Sequence, residues 1–313
     1  TFMASQEEYN ATMVSLCAQV ASGYINLRQL QQELDVVKKN CASQEEVLKI
    51  TEVRYNTGLV SKLDVLQAKS VYYSTKASIP TIEAGIIQYI NSLAVLLGVY
   101  PADLRPSLEK IGPLPDYMEL VSVGIPANLL RRRPDVRGAE RTVNAQAALL
   151  GASKSDWLPQ FFLKGSVGYA SKDMKNFAEK KSLTYEIAPS FTWTLFNGTK
   201  LVNATKLARA QLDEAINQYN QTVLTAVQEV DNAMSTYQNS IKQIVALREV
   251  LNQGQQTLKL SLELYKQGLT PFQNVLDAQR SLLSYENSLV EAKGNSLLCL
   301  IQMYQALGGG WQE

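Results

Sequence analysis

Apolar positions recur at threes and fours along most of this chain, the spacing of one helix face. Between residues 219 and 244 the set Tyr219, Val223, Ala226, Val230, Met234, Tyr237, Ile241 and Ile244 follows a coiled-coil seam. Gly268 then stops the helix, and Pro271 stands where a new one starts. The return arm carries Val275, Ala278, Leu282, Leu289 and Leu297. A helix from about residue 200 to 266 would extend roughly 100 Å at 1.5 Å per residue, a length that suits a rod, bundle or tube. Two shorter segments instead alternate with period two. In 161–169 Phe161, Leu163, Val167 and Tyr169 point one way, against Lys164 and Ser166. In 185–195 Tyr185, Ile187, Phe191, Trp193 and Leu195 share a face, against Glu186, Ser190, Thr192 and Thr194. Strands of nine to eleven residues with aromatics near the ends of an apolar band suit a membrane-spanning β-hairpin, and equally a half-buried hairpin in a soluble sandwich. Pro189 within the second strand calls for a bulge or a tolerant partner.

The helical pattern is written twice. At an offset of 210 residues, Tyr9, Asn10, Thr12 and Val20 fall on Tyr219, Asn220, Thr222 and Val230. Tyr55, Gly58, Leu59, Val65, Leu66 and Ala68 fall on Tyr265, Gly268, Leu269, Val275, Leu276 and Ala278, and Leu97-Gly98 falls on Leu307-Gly308. One ungapped register over about ninety residues reads as an internal duplication. Each copy is two long helices joined at a Gly-Leu turn. A second copy preceded by a hairpin predicts a hairpin before the first, so the chain reads as starting inside the first long helix of a longer product.

Composition narrows the chemistry. The 313 residues carry 30 Lys+Arg against 29 Asp+Glu, so no net field draws nucleic acid or an anionic surface. There is no histidine, which removes the commonest metal ligand and general base. Cys17, Cys41 and Cys299 have neither CxxC nor zinc spacing and read as small buried apolar residues. No nucleophile–base pair, phosphate loop or metal cluster is legible, so an enzyme is not expected and neither is a cofactor. No apolar run looks long enough to cross a bilayer as a helix.

Three features together resemble the TolC family of outer-membrane efflux proteins, in the NodT-like branch linked to resistance-nodulation-division pumps. They are "GIPANLLRRRPDVRGAE" (124–140), "AALLGASKSDWLPQFFLKGSVGY" (147–169) and the doubled Tyr-x-x-Gly-Leu turn with Val-Leu and Ala downstream. The family's signal, first helix and first hairpin are missing at the N-terminus. The resemblance implies a mainly α fold: two long antiparallel coiled-coil hairpins with one β-hairpin belonging to a trimeric β-barrel. The expected parts are a first helical hairpin at 1–98 and an equatorial segment at 99–135. A helix leading to the barrel (136–158), the β-hairpin (159–197), a second helical hairpin (198–308) and a tail (309–313) follow. A family trimer shares twelve strands, whereas three copies of one hairpin give six.

The resemblance also implies a function and partners: a passive exit duct in the outer membrane of a Gram-negative cell, with a periplasmic helical tunnel. The duct would be a homotrimer driven by an inner-membrane pump and joined to it by a periplasmic adaptor, with outer-membrane lipid around the barrel and no nucleic acid. A type I secretion outlet and a soluble coiled-coil scaffold or adaptor are the competing readings. The Gly-Leu turns serve as helix punctuation, yet Leu59 and Leu269 are apolar at tips expected to be exposed, which suggests a partner surface. The adaptor-binding residues implied are Gly58, Leu59, Val60 and Ser61 with Gly268, Leu269 and Thr270. The resemblance places Asp64, Asp277 and Tyr265 at a constriction of the tunnel mouth. Asn274 stands where the family pattern has an acid, which weakens the carboxylate ring. Phe161, Leu163, Val167, Tyr169, Tyr185, Ile187, Phe191, Trp193 and Leu195 form the membrane-facing set. In "LLRRRPD", Pro134 and Asp135 read as a helix start, with the arginines expected to pair with carboxylates.

Overall fold

The computed structural model describes residues 2–115, 131–172 and 180–309. The first part of the "GIPANLLRRRPD" motif and the middle of the loop between the strands lie outside the described residues. The elements run α1 (Phe2–Asn56), α2 (Lys62–Leu97), α3 (Pro101–Leu108), α4 (Pro134–Ser155), β1 (Gln160–Tyr169), β2 (Leu183–Thr192), α5 (Lys200–Lys266) and α6 (Phe272–Ala306). The protein is mainly helical with one antiparallel β-hairpin. Two compact units emerge. One joins Thr1–Glu8 to Asp135–Leu224, and the other joins Tyr9–Pro134 to Thr225–Glu313.

The larger unit holds the duplicated helical hairpins. Their ends obey one backbone rule four times. Gly58 and Gly268 both take positive φ (74° and 77°), and so do Gly98 (67°) and Gly308 (100°). At each, the glycine N–H bonds the carbonyl three residues back, and the next N–H bonds the carbonyl five residues back. This is the Schellman closure, which a Cβ would strain. The pairs 58/268 and 98/308 sit 210 residues apart, so the duplication in sequence is also one in backbone geometry.

The seam residues are core. Ala226, Val230, Tyr237 and Ile244 of α5 are buried, as are Val275, Ala278, Leu282, Leu289 and Leu297 of α6. One apolar cluster takes residues from both hairpins: Val47, Leu48, Val65, Ala68 and Val71 with Tyr265, Phe272, Val275 and Leu276. A second cluster is built by α1 and α2 around Leu27, Leu34, Ile86, Ile90 and Leu93, with Leu283 of α6 against it. Each fully buried side chain of this size contributes about 1.5–3 kcal/mol. Polar groups enter this interior as well: Asn40 of α1 donates to the Glu286 carboxylate of α6. α2 departs from expectation, because by length and composition it is apolar enough to cross a membrane. Its buried residues Val65, Val71, Ile82, Ile86, Ile90 and Leu93 instead pack in the two clusters.

In the smaller unit β1 and β2 pair in unbroken register from Gln160↔Thr192 to Tyr169↔Leu183. The second strand is displaced from its expected place: it runs Leu183–Thr192, so Trp193 and Leu195 lie beyond its end. Pro189 faces Leu163 without a bulge. Each strand of a lone hairpin has an outer edge, where a missing N–H costs no ladder bond. The tryptophans tie the strand ends to the helices. Trp157 Nε1 donates to Thr205 Oγ1 (3.2 Å), and Trp193 Nε1 donates to the Trp157 carbonyl (3.1 Å).

Candidate functional site at the helical tips and the apolar strand face

Directly opposed residues of an antiparallel pair share a face. The register therefore gathers Phe161, Leu163, Val167 and Tyr169 with Phe191, Pro189, Ile187, Tyr185 and Leu183 on one side of the hairpin. The other side holds Gln160, Phe162, Lys164 and Ser166 with Thr192, Ser190, Ala188 and Glu186. Among the described residues nothing covers the apolar side: Leu163, Val167, Tyr185 and Ile187 are each 71–79% exposed. Phe161 and Phe191 pair their rings at 6.1 Å at one end of the band, and Tyr169 and Tyr185 lie toward the other. Ten residues at about 3.3 Å each, tilted near 45°, give a band close to the ~25 Å apolar height of a transmembrane barrel. Trp193 and Leu195 remain exposed and continue past the strand.

At the tips, Leu59 is 66% and Leu269 70% exposed, each immediately after its left-handed glycine. Gly58, Ser61 and Gly268 are exposed, and Val60 and Thr270 half-buried. The two tips are not equivalent. Around the first, Val53, Tyr55, Leu63 and Leu66 are exposed as well. Around the second, Tyr265 and Phe272 turn inward, their rings 5.0 Å apart and tilted by 49°.

Tyr265 is part of this inward packing. At 2% exposure its ring belongs to the apolar cluster and lines no open surface. Burial raises its phenol pKa, the nearby Asp64 charge adds to this, and Thr51 and Arg54 work against it. Asp64 lies in the first turn of α2, where its N–H bonds the Ser61 carbonyl at 3.2 Å. A carboxylate there also complements the positive helix end. Asp277 is not in the corresponding first turn, because α6 starts at Phe272; its carboxylate accepts from Gln273 Nε2 (3.0 Å). Asn274 Nδ2 donates to Thr270 Oγ1 at 2.6 Å. Asn274 and Asp277 share the wall of a groove of about 800 Å³ between α5 and α6, with Glu249, Thr257, Gly254 and Tyr285.

Two arginines stand out, Arg133 of the "LLRRRPD" segment and Arg54, which the sequence alone did not single out. Arg133 is buried; its Nη1 donates to the Ala306 carbonyl at the end of α6 (2.9 Å), and its Nη2 pairs with Glu229 (2.7 Å). Of the three arginines expected to pair with acids, it is the one that closes the C-terminal end of the duplicated hairpin. Arg54 donates to the Lys266 carbonyl across the two tips. Its signal in the sequence was a mismatch: Leu264 stands at its duplicate position.

A profile of the family described as outer membrane efflux protein matches residues 1–99 and 125–309. The chain belongs to the outer membrane efflux protein family. Among relatives, it is 29% identical to the probable efflux pump outer membrane protein TtgC of Pseudomonas putida, over the whole chain and 64% of that protein. It is 30% identical to the solvent efflux pump outer membrane protein SrpC of Pseudomonas putida, over 99% of the chain and 66% of that protein. The chain thus spans just under two thirds of the length of these relatives. The solved outer-membrane channel OprN superposes with a TM-score of 0.91 at 30% identity, covering 99% of the chain and 70% of OprN. The outer membrane protein VceC of Vibrio cholerae superposes with a TM-score of 0.88 at 26% identity, covering 99% of the chain and 74% of VceC. As a member of this family the protein is an outer-membrane protein.

Proposed function

We propose that the protein is the outer-membrane exit duct of a tripartite efflux system. It passes small molecules passively through a trimeric tunnel, and an inner-membrane pump supplies the energy. The observation that carries this reading is the hairpin's uncovered apolar face, flanked by aromatics and spanning a membrane's apolar height. An isolated two-stranded sheet is marginal in water, and in lipid its outer edges need partner strands. Neighbouring protomers supply them. Phe161, Leu163, Val167, Tyr169, Tyr185, Ile187 and Phe191 meet lipid, with Trp193 and Leu195 at the interface.

The periplasmic adaptor docks on the turns Gly58–Ser61 and Gly268–Thr270, with Leu59 and Leu269 as the apolar anchors. Asp64 and Asp277 narrow the tunnel mouth, and Asn274 leaves that ring weaker than a full set of acids. Tyr265 supports the mouth from the core beneath it. Converging carboxylates favour cations and bind multivalent ones. Antibiotic and solvent efflux relatives suggest apolar small molecules as cargo. The test is planar-bilayer conductance of the full-length trimer under a salt gradient, with a trivalent cation on the periplasmic side. Cation selectivity and block that diminish in the Asp64→Ala/Asp277→Ala double variant, and strengthen in Asn274→Asp, are expected. Identical reversal potentials and block in all of them would remove these residues from the constriction. Absence of any conductance from a correctly inserted trimer would remove the duct.

A further inference from the structure

We infer that Arg54 is a positioning residue that fastens the second helical tip to the first, so that the two tips present one composite docking face. A helix end leaves its last carbonyls without partners. At the end of α5 the chain itself serves three of them: Gln267 N–H bonds Glu263, Gly268 N–H bonds Tyr265, and Leu269 N–H bonds Leu264. The Lys266 carbonyl is served from outside, by Arg54 Nη1 of α1 at 2.6 Å. The same guanidinium lies 4.9 Å above the Tyr265 ring and about 4.0 Å from where a Cβ of Gly268 would sit. A cation at a helix C-terminus also meets the negative end of the helix dipole. Arg54 thus meets the last turn of α5 at a carbonyl and a ring, beside the left-handed glycine.

The first tip is closed differently. Thr57 Oγ1 donates to the Val53 and Arg54 carbonyls (3.1 and 3.0 Å), so α1 caps its own end. In the second copy Gln267 replaces Thr57 and Leu264 replaces Arg54. The second tip therefore lacks the hydroxyl cap and has no arginine to return the tie. The dependence runs one way: the first tip holds itself and the second. Beneath the tie, the shared cluster of Val47, Leu48 and Val65 with Tyr265, Phe272 and Val275 keeps the two hairpins adjacent, while Arg54 sets how the Gly268–Leu269 turn sits on it.

The docking half of the inference rests on the tip role proposed above; the tie does not. Both are read in the full-length trimer. Amide hydrogen exchange is followed at 266–270 and at 56–60 in wild type, Arg54→Leu and Arg54→Lys. A photoreactive phenylalanine at position 59 or 269 reports crosslinking to the purified periplasmic adaptor. Loss of a charge-assisted bond to a carbonyl predicts that Arg54→Leu raises exchange at Gln267–Leu269 by about tenfold while Thr57–Leu59 stays unchanged. Crosslinking from position 269 falls more than from position 59, and Arg54→Lys recovers part of both. Unchanged exchange at the second turn, or an equal rise at both turns, overturns the tie. Selective exchange with equal crosslink losses at both positions overturns the composite face. Wild type that crosslinks from neither position removes the docking role itself, with the exchange pattern still judging the tie.

Discussion

Replacing Arg133 by Met keeps the apolar stem but deletes the cation and its donors. The Ala306 carbonyl then loses its partner in a buried setting, which costs about 1–3 kcal/mol. Glu229 loses an ion pair, but its side chain is 50% exposed and water replaces most of the interaction, so this part adds less than about 1 kcal/mol. The close approach of the Arg132–Arg133 backbone to Gly308 remains, and the Schellman closure at Gly308 is unaltered. Arg133→Met should therefore destabilise the larger unit by about 1–4 kcal/mol, and Glu229→Gln by under about 1 kcal/mol. For a unit of roughly 200 residues this is a drop in Tm of about 2–16 °C against at most about 4 °C. Thermal unfolding followed by circular dichroism at 222 nm distinguishes the two. Equal losses in the two variants would mean that the ion pair, not the helix-end carbonyl, carries the contribution, and the capping argument would fail.

Other outcomes follow from the same geometry. Tyr265→Ala should cost about 3–5 kcal/mol through the cavity it leaves against Phe272, whereas Tyr265→Phe should stay within about 1 kcal/mol, because the phenol oxygen makes no well-formed hydrogen bond among the described residues; denaturant midpoints test both. Burial and the Glu291 charge raise the Glu33 pKa. Protonated Glu33 favours the fold, so its contribution is present at acid pH and is lost as pH rises through the raised value. Glu33→Gln should accordingly flatten the pH dependence of Tm, with its gain confined to the high-pH side. Burial likewise raises the thiol pKa of Cys299 and Cys41, so alkylation of the folded protein at pH 8 should label exposed Cys17 first, as mass spectrometry of the modified peptides would report. Ile187→Lys at the centre of the apolar band should cost about 2–4 kcal/mol in a lipid-inserted trimer, and Ala188→Lys on the opposite face far less; urea titration of the protein in vesicles compares them.

Much of this was legible beforehand because it repeats. A period of three and four with a duplicated Gly-Leu turn fixes helices and their ends, since a left-handed glycine is a local demand of the backbone. The strand faces were readable because alternation survives a shift in strand ends, and so each alternating set shares one face although β2 ends before Trp193. The setting of Tyr265 could not be read from its duplicate, because the two copies differ beside the turn. Tyr55 stays exposed while its duplicate is buried by Phe272, which has Lys62 as its own counterpart. Asp277 falls past the first turn of α6 because it stands three positions after Asn274, the duplicate of Asp64, although α6 starts at Phe272, the duplicate of the first residue of α2, Lys62. The acid partner of Arg133 was foreseeable, but the carbonyl contacts of Arg54 and Arg133 were not, since each carbonyl lies more than 170 positions away and carbonyls leave no mark in a sequence.

The membrane role of the hairpin is tested most directly by nitroxide accessibility. Spin labels are placed singly at 163, 164, 187 and 188 in a cysteine-free, full-length protein reconstituted in lipid vesicles, and relaxation by oxygen is compared with relaxation by a water-soluble nickel chelate. The register places 163 and 187 on the apolar face and 164 and 188 on the other. The account predicts high oxygen and low chelate accessibility at 163 and 187, with the reverse at 164 and 188. Accessibility that fails to alternate, or chelate reaching 163 and 187 as freely as 164 and 188, would contradict it.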